Sequence, residues 1–261
     1  MLPTLRNDLG PGLYLGGWVL SYLHSTGNQG DFPIGNIVDP ETPAVNAREV
    51  IEQTIGLEYG PIVHVSLAHQ EHNKVVVLDS MPTGHMLLNC DAVIFPKRWR
   101  IGVETLLGDC TCSIVASADY IGFMHIGRPE LFGGLISRFS ESWVEVDENQ
   151  SASVHIGPGI CGKHYELPDL SAVAGTQLEV YKTVTEWGTQ GYDMYQAITA
   201  QFRGLGFPHV LEFPSDVHCP FCARQQSVCS SWASDQYFRV KGMDPSRPFS
   251  PRDCAFLRRK G

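Results

Sequence analysis

The stretch Asp109–His125, "DCTCSIVASADYIGFMH", places two apolar runs on either side of a short polar turn. Short β-branched runs bounded by turn residues are typical of a β-hairpin. If residues 118 and 119 form a two-residue turn, Cys112 pairs with His125. Because side chains alternate along a strand, Cys110 then shares their face. A three-residue turn would change this parity. Free cysteine is often buried, so ordinary core packing is an equal alternative for the hairpin taken alone.

Composition limits the class of protein. The 261 residues are 43% hydrophobic and 18% charged, which favours a folded chain with a substantial core over a disordered one. The formal net charge of −9 argues against general nucleic-acid binding, which needs clustered lysine and arginine. The C-terminal run "FLRRKG" is a short basic run, and we interpret it as a solvated end.

No segment predicts a membrane span or a secretory signal. The early run "GLYLGGWVLSYL", residues 12–23, is apolar, but it contains three glycines and is too short to cross a bilayer. We interpret it as a buried strand or pair of strands. The chain has 8 cysteines and is long enough to fold without disulfides, so we expect reduced thiols and a cytoplasmic location.

The order of elements predicts an α+β fold, a layered sandwich of mixed and antiparallel β-sheets flanked by helices. Apolar faces at helical spacing predict three helices, at 42–56, 129–143 and 191–206. Short β-branched runs predict strands at 61–68, 74–80, 91–96, 101–107, 111–117, 120–125, 153–157, 209–213 and 236–242. Regular strand–helix alternation is missing, and we expect a single domain over residues 1–261.

A histidine outside the hairpin suggests a metal site. His72 stands just before the apolar run of "HQEHNKVVVLDS", where a strand begins and a side chain can point into a cleft. Alone, such a histidine is more often a surface residue. Together with Cys110 and His125 it makes a His2Cys set, and three protein ligands with one open position are typical of catalytic zinc.

Two further segments carry weaker signals. The glycines of "IGPGICGKHYEL", residues 156–167, permit close backbone approach and could line a pocket with N–H donors. In "DVHCPFCARQQSVC" the Cys219-x2-Cys222 spacing suits zinc, with Cys229 nearby and Cys254 later, but a second such pair is missing. A structural role, by metal binding or packing, is the favoured interpretation of this cluster.

Several motifs in order resemble one family. "QEHNKVVVLDS" (70–80), "CDAVIFPKRWRIGVETLLGDC" (90–110), "GFMHIGRPELFGGLI" (122–136) and "IGPGICGKHYEL" (156–167) are similar to the ordered motifs of the laccase-domain family. That family is also called multicopper polyphenol oxidase and is now regarded as zinc-dependent purine nucleoside phosphorylases. The resemblance covers roughly residues 10 to 225 and implies a sandwich of β layers covered by helices.

The resemblance also implies a site and a reaction. Zinc would be held by His72, Cys110 and His125, the trio that the residues themselves suggest, and Asp109 would act as a general base or orient a ligand. Substrate-binding positions would be Gln70, Arg48, Arg128, Gly157 and Gly159. The implied substrates are a small purine nucleoside (adenosine, inosine, guanosine or methylthioadenosine) and phosphate, with adenosine deamination as a side activity.

The chain also departs from the family pattern. His125 is followed by Ile-Gly-Arg-Pro-Glu instead of Ala-Gly-Trp-Arg-Gly, and the hairpin is two residues shorter than usual. This shorter hairpin is similar to that of cytotoxic-necrotizing-factor-like glutamine deamidases, in which a cysteine on one strand and a histidine on the next act without metal. An inactive scaffold is the third alternative. Multicopper oxidation is disfavoured because the ten histidines include no His-x-His pair.

Overall fold

In the part of the chain that the structure describes, two six-stranded β-sheets stack and helices cover the outer face of one of them. The computed structural model describes residues 5–6, 18–24, 60–66, 72–107, 110–148, 151–157, 159–211, 219 and 253–259. The predicted helix at 42–56 and the predicted strand at 236–242 lie outside these residues. Within them, the α+β layered sandwich is confirmed.

Sheet 1 has six strands in the spatial order β1-β2-β14-β7-β3-β5 and mixes antiparallel with parallel pairs. Its strands are β1 (Leu5–Arg6), β2 (Trp18–His24), β3 (Ile62–Ser66), β5 (Met86–Asn89), β7 (Gly102–Leu107) and β14 (Asp253–Arg259). The C-terminal basic run was expected to be a solvated end. Instead, most of it belongs to β14, which pairs along its length with β2 and β7.

Sheet 2 also has six strands, in the order β13-β10-β8-β9-β6-β4. Its strands are β4 (Val75–Val77), β6 (Ala92–Pro96), β8 (Thr111–Ala116), β9 (Tyr120–Ile126), β10 (Ser153–Ile156) and β13 (His209–Leu211). A small separate hairpin joins β11 (Lys182–Val184) to β12 (Gln190–Tyr192). Sequence patterns did not indicate β5, β11 or β12, which are short and lack a clear apolar period.

The hairpin β8–β9 forms with the expected two-residue turn. The Ser117 N–H donates to the Tyr120 carbonyl at 3.1 Å, and the Ser117 hydroxyl accepts from the Tyr120 N–H at 3.1 Å. Serine at this point stabilises the turn by bonding to the backbone ahead of it. The register follows from the turn, and Cys112 lies directly opposite His125, as predicted.

Apolar side chains of the two sheets meet in one core. Val63 and Val103 of sheet 1 pack against residues of sheet 2 such as Cys112, Ile114 and Phe123, all of them fully buried. These members of sheet 2 alternate with residues such as Val115 and Met124, which belong to the core on the opposite face. Both faces of β8 and β9 are therefore buried, which holds the hairpin rigidly.

Helices cover the outer face of sheet 2. They are α1 (Arg128–Phe132), α2 (Leu135–Val144) and α3 (Met194–Gly204), and the expected apolar face of the first two is fully buried. The single helix predicted at 129–143 is two helices. Gly134 interrupts it with φ of 86°, and Gly133 lies against Asn73, where a Cβ would come within 2.1 Å of the side-chain nitrogen.

His155 makes the fold sensitive to acid. It lies in β10, is 8% exposed, and burial lowers the pKa of its imidazole to about 4 from 6.5. Above the unfolded value both states are neutral. As the pH falls from 6.5 towards 4, the unfolded chain takes up a proton that the folded chain refuses, so stability is lost. We expect this loss to reach about 3 kcal/mol at most.

Urea unfolding of His155→Gln between about pH 7.5 and about pH 4.5 checks this prediction. The variant should lose less free energy of unfolding over that range than the wild type. The exposed His209 of the neighbouring strand β13 supplies a control for the substitution itself, and His209→Gln should keep the wild-type free energy of unfolding at about pH 7.5. Equal slopes for His155→Gln and the wild type would contradict the assignment.

Candidate metal and active site

The site lies where β8 begins and β9 ends. Cys112 pairs with His125 and Thr111 with Ile126, so Cys110 comes just before the paired residues of β8. His125 is 1% exposed, whereas Cys110 is half-buried at the edge of the core between the sheets. The predicted sharing of one face by Cys110, Cys112 and His125 agrees with this register.

Gly127 is the point at which the site's side chains converge. A Cβ built on Gly127 would lie 2.7 Å from Glu130 Oε2, 2.8 Å from Cys110 Sγ and 3.5 Å from His125 Cε1. These distances leave no room for a side chain. The thiol and one of the two imidazoles of the predicted trio therefore meet over this glycine, together with a carboxylate that sequence reasoning did not select.

Glu130 joins the parts of the site. It is the third residue of α1, is 2% exposed, and accepts a hydrogen bond from the Gly127 N–H at 2.9 Å. Its other oxygen lies 2.9 Å from His72 Nδ1, and Oε2 lies 4.0 Å from His125 Nδ1. The carboxylate thus brings His72, whose side chain is 39% exposed, into the site.

One signal could have identified Glu130. Arg128-Pro129-Glu130 follows Gly127, and proline in the first helical turn with glutamate at the third position is typical of a helix start. A glutamate placed there turns back towards the residue before the helix, which here follows His125 by two positions. The resemblance gave no reason to examine it, because the family has glycine at this point.

Asp91 is the second acidic residue that sequence reasoning missed. One ligand atom from each of His72, Asp91 and Glu130 lies within 4.8 Å of the others, an arrangement that could itself hold a cation. Burial raises the pKa of the Asp91 carboxyl, and the charge of Glu130 raises it further, whereas the Lys74 N–H that donates to it at 3.0 Å lowers it. The Asp91 carbonyl also accepts from the His125 N–H at 2.8 Å.

The remaining predicted positions are spread more widely. Arg128 is the exposed first residue of α1. The Gly157 N–H donates to the Cys112 carbonyl at 2.7 Å, so this donor serves the sheet edge and not a ligand. Gly159 packs on Thr111, where a Cβ would come within 2.9 Å of Thr111 Cβ. The other predicted site residues, Asp109, Gln70 and Arg48, lie outside the described residues.

The donors present fit a zinc ion by their chemistry. Two imidazoles and one thiol are ligands that zinc prefers. The Cys110 thiol and the His125 ring lie against Gly127, and His72 contacts Glu130 beside them. The hydrogen bond from His72 Nδ1–H to Glu130 would leave His72 Nε2 unprotonated and able to bind metal, the usual pattern of a carboxylate behind a ligand histidine. Glu130 is then a positioning residue.

We expect Glu130→Gln to lower the affinity for zinc about 10- to 100-fold, because the amide keeps the shape but removes the charge behind His72. Competition with a chromophoric chelator measures this. Glu141, an exposed glutamate of α2, supplies the control, and Glu141→Gln should bind zinc as the wild type does. An unchanged affinity in Glu130→Gln would show that Glu130 does not support a ligand.

A second group of metal-binding side chains lies elsewhere. Cys161, His164 and Cys219 are all buried, and one ligand atom from each lies within 4.8 Å of the others. Of the cysteine cluster noted in the sequence, Cys222 and Cys229 lie outside the described residues.

Among the described residues, no helix is both long and apolar enough to cross a bilayer.

Comparisons with known proteins agree with this fold. Residues 24–238 match the family model described as multi-copper polyphenol oxidoreductase laccase. A Streptomyces griseus protein named "Purine nucleoside phosphorylase ORF3" is 30% identical over 220 residues, 79% of this chain and 83% of that protein.

Among solved structures, YfiH from Bacillus licheniformis aligns with a TM-score of 0.69 at 14% identity, over 98% of this chain and 99% of that one. YlmD from Geobacillus stearothermophilus aligns with a TM-score of 0.67 at 17% identity, over 96% and 95%. The extent of the model match and the identity to the Streptomyces protein show that the chain belongs to the multi-copper polyphenol oxidoreductase laccase family.

Proposed function

We propose that this chain is a zinc-dependent purine nucleoside phosphorylase. Adenosine, inosine, guanosine and methylthioadenosine are the candidate substrates, and adenosine deamination is a proposed side activity. The observation that carries the proposal is the meeting of Cys110, His125 and Glu130 over Gly127, with His72 held by Glu130. The name of the Streptomyces griseus relative supports the reaction class.

In this proposal His72, Cys110 and His125 hold the metal. Cys110 binds as the thiolate and the histidines as neutral imidazoles, so binding releases a proton from the thiol. When bound, zinc supplies Lewis-acid polarisation of a substrate oxygen or a water of lowered pKa. The core beneath Cys112 excludes water from the inner side of the site, which strengthens the interactions of charged groups there.

Acidic groups around the trio divide into two roles. Glu130 is hydrogen-bonded to His72 and to the Gly127 N–H. We therefore assign it the role of orienting His72, not that of transferring a proton. Asp91 has a raised pKa, chiefly from burial, so its carboxyl is suited to hold a proton at higher pH than a solvated aspartate. Asp109 remains the proposed general base, because it directly precedes Cys110 in the sequence.

Phosphate needs cationic groups or N–H donors. Arg128 at the start of α1 and Arg48 are the proposed contacts, with Gly159 as a proposed lining residue and Gln70 on the nucleoside. We do not give the Gly157 N–H this role, because the Cys112 carbonyl accepts it. The proposed partners are small molecules, a nucleoside and phosphate. The proposed location is the cytoplasm.

One observation favours a second candidate function. Cys110 Sγ and the His125 ring both lie against Gly127, the arrangement that a metal-free thiol hydrolase or glutamine deamidase uses for nucleophile and base. His72 separates the two functions, because a metal site needs it and a cysteine–histidine pair does not.

The test incubates the zinc-loaded protein with each nucleoside, with and without phosphate, and follows free base, inosine and ribose 1-phosphate. The proposal expects base and ribose 1-phosphate only with phosphate, and their loss in His72→Ala. Thiol reactivity and glutamine deamidation that survive in His72→Ala, without phosphorolysis by the wild type, would move the assignment to the second candidate. A folded, zinc-containing protein inactive in both assays would indicate a scaffold.

A further inference from the structure

A buried turn after β10 places a cysteine and a histidine side by side. The N–H groups of His164 and Tyr165 both donate to the Cys161 carbonyl at 2.9 Å, which closes the turn. Cys161 and His164 therefore project together, with Cys161 Sγ at 3.1 Å from His164 Nδ1. The Cys-x2-His spacing is compatible with two ligands of one metal ion.

A third ligand comes from a distant part of the chain. Cys219 Sγ lies 3.5 Å from the same His164 Nδ1, although 55 residues separate the two in sequence. Cys161, His164 and Cys219 are all buried, each residue at most 6% exposed. The two cysteines are not joined by a disulfide.

The other nitrogen of His164 is held by a carboxylate. His164 Nε2 lies 3.2 Å from Glu186 Oε2, and the Glu186 N–H donates to the Lys163 carbonyl at 2.9 Å, which anchors the glutamate beside the turn. If Nε2–H donates to Glu186, the Nδ1 lone pair is directed at the two sulfurs. A carboxylate behind a histidine is the arrangement that fixes the tautomer of a metal ligand.

The distances are compatible with coordination of one cation by all three side chains. A neutral imidazole has one lone pair on Nδ1, so it can accept fully from only one of the two thiols. Zinc bonds of about 2.3 Å to sulfur and about 2.0 Å to nitrogen place tetrahedral sulfur and nitrogen ligands about 3.5 Å apart. The two sulfur–nitrogen distances, 3.1 and 3.5 Å, are close to that separation.

We propose that Cys161, His164 and Cys219 bind a thiophilic divalent cation of the zinc class, at a second site separate from that of His72, Cys110 and His125. A bound ion would tie the turn after β10 to Cys219. Glu186 is its positioning residue. This proposal does not rest on the proposed function, because its ligands are different residues.

Native mass spectrometry and zinc analysis of the full chain, expressed with zinc and purified without chelators, test the proposal. Cys161→Ser should contain one zinc fewer than the wild type. The double variant with Cys161→Ser and His125→Ala should likewise contain one zinc fewer than His125→Ala alone. Cys90, buried and outside both sites, supplies the control, and Cys90→Ala should keep the wild-type count. This comparison holds whether or not the first site carries zinc.

Two measurements keep the proposal testable if Cys161→Ser fails to fold. Glu186 is half-exposed, so Glu186→Gln should fold and lower zinc affinity at this site about 10- to 100-fold. X-ray absorption spectroscopy of zinc-bound His125→Ala should show two sulfur atoms bound to the zinc ion of this second site. Fewer than two sulfurs there, an equal zinc count in Cys161→Ser and the wild type, or a Cys161–Cys219 disulfide in a peptide map would overturn the proposal.

Discussion

Cys110→Ser is expected to lower phosphorolysis about a thousandfold or more, because a serine hydroxyl does not ionise at neutral pH and cannot replace a thiolate ligand. The same variant should lose the zinc of the first site. Steady-state release of base from nucleoside, with zinc analysis of the same samples, measures both effects. Activity and metal should fall together, because one side chain supports both.

The matched control is Cys90→Ala. The Cys90 thiol is buried, and burial raises its pKa to about 12, with the neighbouring Asp91 adding to the effect, so it stays protonated and is a poor ligand. Its loss should leave the zinc content and the rate as in the wild type. If Cys110→Ser kept full phosphorolysis, Cys110 would be a core cysteine and the proposed site would be wrong.

Gly127→Ala is expected to reduce zinc affinity at least about tenfold and activity with it, although it removes no chemical group. The added methyl would lie 2.7 Å from Glu130 Oε2 and 2.8 Å from Cys110 Sγ, so one of these groups must move. Zinc titration and nucleoside turnover measure the loss.

Gly84→Ala is the control for the effect of replacing glycine itself. A Cβ at Gly84 would meet no heavy atom within 4 Å, so this variant should behave as the wild type. Wild-type zinc affinity in Gly127→Ala would mean that Cys110 and Glu130 do not approach the metal from the side of this glycine.

The hairpin was predictable because its rules are local. A two-residue turn fixes the register, and the period of two then places Cys112 opposite His125. The apolar faces of α2 and α3 were predictable for the same reason, since residues three and four apart share one side of a helix.

Contacts between distant segments could not be read from the sequence in this way. β14 lies between β2 and β7 although it is far from both in sequence, so its charged residues suggested a solvated end. The division between α1 and α2 depends on Asn73, which packs against Gly133 from another part of the fold. Neither contact leaves a periodic pattern.

The site likewise has features that local sequence patterns predict and features that depend on contacts between distant segments. The resemblance and the hairpin together selected His72, Cys110 and His125. Cys110 and His125 lie against Gly127, and Glu130 contacts His72 and lies 4.0 Å from His125 Nδ1. Among the described residues, however, the three predicted ligands do not form a group whose ligand atoms all lie within 4.8 Å of one another. Glu130 itself was missed, because its role depends on where α1 starts relative to His72, 58 residues earlier in the chain. A carboxylate between two imidazoles is a tertiary feature.

In the proposed function, zinc at His72, Cys110 and His125 supports phosphorolysis. The most direct measurement restores zinc stepwise to chelator-treated protein and follows adenine and ribose 1-phosphate from adenosine, with and without phosphate. We expect no product from the metal-free protein and phosphate-dependent product that rises with zinc to a plateau. Product formed equally without zinc, or without phosphate, would contradict it.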